Sequence, residues 1–174
     1  STDSLDPGSW EADFMIFQAH TRNNYLTEIA AAGALVPELA TEWEASPDAK
    51  VWTFAIRPGV EFHSGHTLVP EDVVASINHH RGEDSTSAAA PLVSDITDIS
   101  VDGANVVFTL ANGNADFPFV LSDYHLPILP AQADGTIDAM TTDGCGPFRI
   151  DEIEFGVAAR YSRQDNYWKE FLPY

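Results

Sequence analysis

Residues 40–56 constrain the fold more than any other stretch. Ala40–Ser46 carries Trp43 in an extended run, and Val51–Ile56 alternates Val51, Thr53 and Ala55 with Trp52, Phe54 and Ile56. A period of two puts successive side chains on opposite faces of a strand, so one face receives the large apolar groups. Between the two runs, Ser46-Pro47-Asp48-Ala49-Lys50 is turn chemistry, and Arg57-Pro58-Gly59 ends the second run. The pair reads as an antiparallel hairpin with Trp43, Trp52, Phe54 and, further on, Phe62 as anchors of a half-buried sheet.

The rest of the chain arranges itself around that hairpin. Ser4–Ser9 is a turn-rich loop punctuated by Asp6-Pro7-Gly8. From Trp10 to about Asn23 the spacing is helical: Phe14, Phe17 and His20 or Thr21 recur three and four residues apart. Leu26–Ile29 is a short strand candidate, and Ala30–Gly33 turns the chain into Leu35-Val36-Pro37. Pro70-Glu71-Asp72 starts a helix: proline suits its first turn and acids favour its positive end. Val73, Val74 and Ile77 give that helix an apolar face, and Gly82 ends it. Residues 83–91 read as a surface loop. Ile96–Val101 and Val106–Leu110 form a second hairpin about Asp102-Gly103-Ala104-Asn105. Asp116–Leu121 is a short helix or extended stretch, Leu126–Leu129 a strand end, and Phe148–Glu154 with Val157–Ser162 a third hairpin. Helices and hairpins together give an α/β chain with α+β character.

Composition narrows the function. Of 174 residues, 44% are apolar, with four Trp and ten Phe, enough for a packed core. No apolar run approaches the roughly 18 residues of a membrane span, and the polar start Ser1-Thr2-Asp3 is no signal peptide. Twenty-seven acids against eight Lys and Arg give a formal charge of −19. Phosphate polyanions are repelled by such a surface, so no nucleic acid is expected as a partner. The only lysines are Lys50 and Lys169, a balance that suits salty surroundings.

Catalytic and metal chemistry find little support. Cys145 is the lone cysteine and sits in Asp143-Gly144-Cys145-Gly146-Pro147, a turn rather than an electropositive thiol site. His63 and His66 are separated by Ser64-Gly65, which points to a turn and not to one helix face, and His79-His80 are adjacent; structural or solvated histidines are expected, with no metal. Acid pairs such as Glu71-Asp72 and Asp95 with Asp98 read as caps and surface charge. The sequence holds no G-x-S-x-G elbow, no H-E-x-x-H, no phosphate-binding loop and no dinucleotide fingerprint. No cofactor and no enzymatic activity are expected.

A family resemblance adds specificity. Leu35-Val36-Pro37-Glu38-Leu39-Ala40-Thr41-Glu42-Trp43, then Thr53-Phe54-Ala55-Ile56-Arg57-Pro58-Gly59-Val60-Glu61-Phe62 and on through Gly65 to Asp72-Val73, resembles the signature of family 5 extracellular solute-binding proteins. That signature runs V-P-x-L-A-x-x-W, then T-F-x-L-R-x-G-V-x-F-x-x-G-x-x-x-x-x-D-V. Thr2–Pro7 resembles the family's opening T-L-D-P loop. Gly144-Cys145-Gly146-Pro147-Phe148 resembles its G-T-G-P-Y turn, with Cys145 for Thr and Phe148 for Tyr, and Asn166-Tyr167-Trp168 its N-x-x-Y-W segment. Most of these residues are packing and turn residues: Gly59 and Gly65 permit turns, and Arg57 is expected to pair with a nearby acid.

The resemblance implies a type II periplasmic-binding-protein fold, a clamshell that closes on a solute by hinge motion and passes it to an ABC permease. On that pattern residues 1–25 and 140–174 belong to a partial first lobe. Residues 26–139 form a smaller β-rich subdomain inserted between them, and a second lobe follows Tyr174. The aromatic segment from Asp165 to Tyr174 is then expected to begin an element completed elsewhere. The implied protein is periplasmic or extracellular and monomeric, its signal peptide absent from this chain, and it takes peptides. Nickel chelates, opines, oligosaccharides and haem are other solutes for the scaffold, and a secreted acidic hydrolase is a rival of another class. By position after Leu5-Asp6-Pro7, Trp10, Glu11, Ala12 and Asp13 match the family's ligand-facing segment. Glu11 or Asp13 would accept from a peptide's ammonium or backbone N–H groups, and Gly144, Cys145 and Gly146 would approach the solute through backbone groups.

Overall fold

A computed structural model describes residues 4–11 and 13–170. Strand β3 (Ala40–Ala45) and strand β4 (Val51–Ile56) form the expected hairpin. They are two members of a four-stranded antiparallel sheet completed by β5 (Ile96–Asp102) and β6 (Asn105–Leu110), in the order β3-β4-β6-β5. Register pairs Trp52 with Phe108 and Phe54 with Val106, so the buried halves of both alternating strands share one face. Phe117, at the start of a single helical turn α4 (Phe117–Val120), completes the aromatic packing on that face. Its ring lies 5.3 Å from Phe108, 6.3 Å from Phe54 and 6.4 Å from Trp52, centroid to centroid.

Helix α2 (Pro70–Asn78) covers the same face and buries Val73 and Ile77 against it. Asp72 does more than favour the helix's positive end. Fully buried, it accepts from the backbone N–H of Val69 (2.8 Å) and of Ala131 (2.7 Å), and it lies 3.2 Å from His66. One carboxylate thereby ties the helix start to two distant turns. Gly59 and Gly65 have φ of +75° and +88°, the left-handed conformation that residues with a Cβ avoid.

Two small antiparallel sheets flank this centre: β1 (Thr27–Ile29) with β2 (Leu35–Pro37), and β7 (Phe148–Glu154) with β8 (Ala158–Arg163). Helix α1 (Asp13–Arg22) packs beside β7 and buries Met15, Gln18, Ala19 and Arg22. The helix forms where the spacing put it, but a different stripe faces inward. Phe14 and Phe17 are 41% and 62% exposed, because the polar and charged Gln18 and Arg22 occupy the inward stripe at three- and four-residue spacing.

Two further expectations change. Leu126–Leu129 is buried but makes no strand: Ile128 N–H reaches the Asn24 carbonyl at 3.1 Å, and Leu129 exchanges hydrogen bonds with the Ser76 hydroxyl. The segment expected as a loop at 83–91 ends in a one-turn helix, α3 (Ala90–Val93), whose flanking Ala89 is fully buried. Among the described residues no helix is long and apolar enough to cross a membrane.

Candidate functional site

The Val36-Pro37-Glu38-Leu39 stretch holds its chemistry at Glu38. Glu38 projects inward from the end of β2 and is buried. Its carboxylate accepts from Tyr25 N (2.9 Å), Asn24 Nδ2 (2.6 Å) and Lys169 Nζ (2.9 Å). Asn24 also donates to the Tyr167 hydroxyl (3.1 Å) and accepts from Trp168 Nε1 (2.9 Å). Lys169 donates in addition to Glu28 (2.7 Å). Arg57, expected to find an acid, donates instead to the Glu38 carbonyl (2.8 Å) and lays its guanidinium 4.4 Å over the Trp168 ring. The segment 165–170 is thus fastened across β1 and β2 by a buried polar clamp.

Electrostatics follow from that burial. Desolvation pushes the Glu38 carboxyl above its usual range, while the nearby Lys169 ammonium opposes the shift. Burial alone would lower Lys169, but the Glu38 and Glu28 carboxylates more than offset it and raise the ammonium above its ordinary value. Burial also raises the Tyr167 phenol, to about 12. The clamp is charged, paired and internally satisfied.

The clamp forms one end of a cleft of about 1300 Å³. His20, Phe119, Ser122, Asp123 and Tyr124 also line it, joined through Tyr25, whose hydroxyl donates to the Tyr124 carbonyl and whose ring lies 5.3 Å from His20. Four carboxylates line it (Glu28, Glu38, Asp123 and Glu170) against two cations, Arg57 and Lys169. Lys169 is shared by Glu28 and Glu38 and Arg57 serves a carbonyl and a ring, so by formal count the lining holds more acids than cations, with Asp123 and Glu170 apart from Lys169. Aromatic walls and an excess of acids over cations suit a solute with an apolar body and a cationic group.

The residues singled out from the sequence lie around this cleft rather than along it. Trp10 is buried; its indole donates to the Ser4 carbonyl (3.0 Å), and its own carbonyl lies 2.8 Å from His125 Nε2. Glu11 and Asp13 are exposed at the start of α1, and Glu11 is close enough to the cleft residue Tyr124 to act on its phenol. Ala12 lies outside the described residues. Gly144, Cys145 and Gly146 are packed beneath the end of α1. A Cβ on Gly144 would stand 2.4 Å from the Arg22 carbonyl oxygen, and one on Gly146 would stand 2.4 Å from the Arg22 carbonyl carbon. Gly146 N–H donates to that same carbonyl (2.7 Å). No side chain fits at either position, which accounts for the glycines. Burial raises the Cys145 thiol well above its usual range, as an inert core cysteine requires.

The histidines serve the structure. His63 Nε2 lies 2.9 Å from the Gly146 carbonyl, His79 2.9 Å from Asp6, and His80 2.7 Å from the Ser87 hydroxyl. Among the described residues no group of three or more metal-ligating side chains converges. Sequence reasoning missed Glu38, Asn24 and Tyr124. The signal for Glu38 was present as an acid set between Pro37 and Leu39 in an otherwise apolar stretch; Asn24 and Tyr124 carried none.

A model of the bacterial extracellular solute-binding proteins, family 5, middle region, matches residues 34–174. The chain belongs to this family. Among family 5 relatives, di/tripeptide-binding protein 2 of Pseudomonas aeruginosa is 28% identical, over 96% of this chain and 37% of the relative. The nickel-binding periplasmic protein of Escherichia coli is also 28% identical, over 83% of this chain and 29% of the relative. Among solved structures, the periplasmic binding protein AgaA of A. tumefaciens R10, in complex with agropinic acid, superposes with a TM-score of 0.86 at 26% identity. That match covers 98% of this chain and 35% of AgaA. The periplasmic-binding-protein fold expected from the motifs is therefore the fold of this chain. The chain spans about a third of the length of the family 5 proteins it matches.

Proposed function

We propose that this chain is part of the solute-capturing component of a bacterial ABC importer, acting in the periplasm or outside the cell and handing a short peptide to its permease. The observation that supports the reading best is the cleft itself. Its walls are aromatic, its lining holds more acids than cations, and part of it is fixed by a clamp that includes the motif residues Glu38, Arg57, Tyr167 and Trp168. A peptide supplies the complement: an ammonium for the acids, side chains for the rings and amides for backbone groups of the cleft. The di/tripeptide-binding relative makes peptides the first solute to test. Glu11 and Asp13 remain proposed solute-facing groups, Glu11 through its nearness to Tyr124. Gly144, Cys145 and Gly146 act on the solute only indirectly in this reading, by seating the end of α1. Residues 1–25 and 140–174 are proposed as lobe segments, with 26–139 inserted between them. The protein is proposed to work as a monomer, without catalysis or cofactor.

The test is a titration of the ¹⁵N-labelled chain with dialanine and trialanine, followed by amide shifts, which register weak binding to a single lobe. Shifts grouped at Asn24, Tyr25, Tyr124 and Trp168 are expected. A response to histidine-chelated nickel alone overturns the peptide reading. Release of free alanine during the titration overturns the non-catalytic one.

A further inference from the structure

One wall of the cleft is held by a histidine that touches no solute position. His125 is 8% exposed and directly follows Tyr124, whose ring stacks on the imidazole at a centroid distance of 3.9 Å. Both ring nitrogens face oxygen. Nδ1 lies 2.7 Å from Asp123 Oδ1, and Nε2 lies 2.8 Å from the Trp10 carbonyl. The same Asp123 oxygen accepts from the His125 backbone N–H (2.9 Å), and Tyr25 Oη donates to the Tyr124 carbonyl (3.3 Å). Asp123, Tyr124 and Tyr25 all line the cleft, whereas Trp10 belongs to the segment leading into α1.

A neutral imidazole has one N–H and one bare nitrogen. Here neither nitrogen meets a donor from the protein unless Asp123 itself carries a proton. Whichever partner holds it, the His125–Asp123 pair needs one proton more than a neutral imidazole beside an ionised carboxylate. We infer that His125 is a positioning residue for the cleft: through a proton shared with Asp123 it fastens the Asp123–Tyr124 wall to Trp10, making solute capture depend on pH. The inference rests on the reading that this cleft receives solute.

Other charged groups near the pair do not replace that proton. Glu11, just before α1, reaches Tyr124 electrostatically, His20 on α1 feels Asp123, and His80, just past α2, feels both His125 and Asp123. His79 beside it is already paired with Asp6 in the N-terminal turn. None of them donates to His125. Loss of the shared proton removes one hydrogen bond from the wall, because a neutral imidazole keeps a single N–H for two facing oxygens. Tyr124 is then freed from its place against Trp10.

Two measurements on the whole chain test this. The first follows His125 and Tyr124 ring resonances by NMR from pH 5 to 8 in the wild type and in Asp123→Asn. The Tyr124 signals are expected to move in step with His125, and this coupling is expected to vanish in the variant. A Tyr124 ring that stays fixed while His125 titrates overturns the inference, with or without a bound solute. The second measures dialanine affinity across the same range. Affinity is expected to fall by about fivefold, the worth of one hydrogen bond, in the wild type. It should be weaker but flat in His125→Phe, which keeps a ring to stack on Tyr124. An equal pH slope in wild type and His125→Phe overturns the role of His125. If dialanine shifts no cleft residue at any pH, the functional reading fails, and the ring coupling still decides whether His125 holds the wall.

Discussion

The four-stranded sheet and the Glu38 clamp are both buried, yet they are built on opposite principles. The sheet is held by rings: Trp52, Phe54, Phe108 and Phe117 meet stacked, tilted or edge to face, and the Trp52 indole N–H donates to the Ala49 carbonyl (3.2 Å). The clamp is held by directed bonds among Asn24, Glu38, Tyr167, Trp168 and Lys169. Apolar packing is non-directional and gains with area, so it tolerates small shifts and loses most when volume is removed. A buried polar network gains little over water when complete and loses heavily when one member goes. The sheet therefore supplies stability, and the clamp supplies a fixed place for the segment that ends the cleft.

Phe54→Ala is the severest test of this contrast. It should cost about 3–5 kcal/mol in urea unfolding and unfold the whole chain, because the ring touches Trp43, Trp52, Phe108 and Phe117. Glu38→Leu should come next, at about 3 kcal/mol, since it strands the Tyr25 amide and leaves Asn24 and Lys169 with only Tyr167 and Glu28 as acceptors. It should also release residues 165–170 in hydrogen exchange while the sheet amides stay protected. Equal loss of protection in the sheet would erase the distinction between the two regions.

Acid should act on buried polar groups and spare the rings. Burial first, then the neighbouring His79, lowers His80 to about 4 from 6.5. Between those values the unfolded chain binds more protons, so stability is full above pH 6.5 and is lost as pH falls towards 4, by at most about 3 kcal/mol from this group. A pH series of urea midpoints should show that slope, reduced by about one proton in His80→Gln. The smallest effect belongs to Trp168→Phe, which removes the indole N–H from Asn24 and keeps most of the ring for Arg57. A loss of about 1 kcal/mol is expected, non-additive with Asn24→Ala in a double-mutant cycle.

How legible each region was follows from the same contrast. The sheet could be read because its instructions are local: Trp52, Phe54 and Ile56 sit two residues apart, and turn residues mark both hairpins. Phe14 and Phe17 marked the helix and not its buried face, because a large apolar side chain is a poor guide to the inward stripe when Arg22 can be buried by donating to the Thr141 carbonyl. At Leu126–Leu129 an apolar run proved buried without a strand partner, since its backbone groups are met by Asn24 and Ser76. The motifs named the fold, but the cleft depended on residues distant in sequence. Glu38 gains meaning only beside Asn24 and Lys169, and Tyr124 only beside Trp10 and His125. Gly144 and Gly146 were legible as a turn, while the close approach of Arg22 that demands them was not.

The hydrogen bond from Trp168 to Asn24 joins residues 144 apart in the chain. A contact of that span closes a large loop and gains nothing until the intervening chain is already compact. In time, then, the clamp is a late event: hairpins and aromatic face first, strap last. The same ordering run backwards makes the strap the first piece to detach, so the cleft should lose its end wall in excursions that leave the sheet intact.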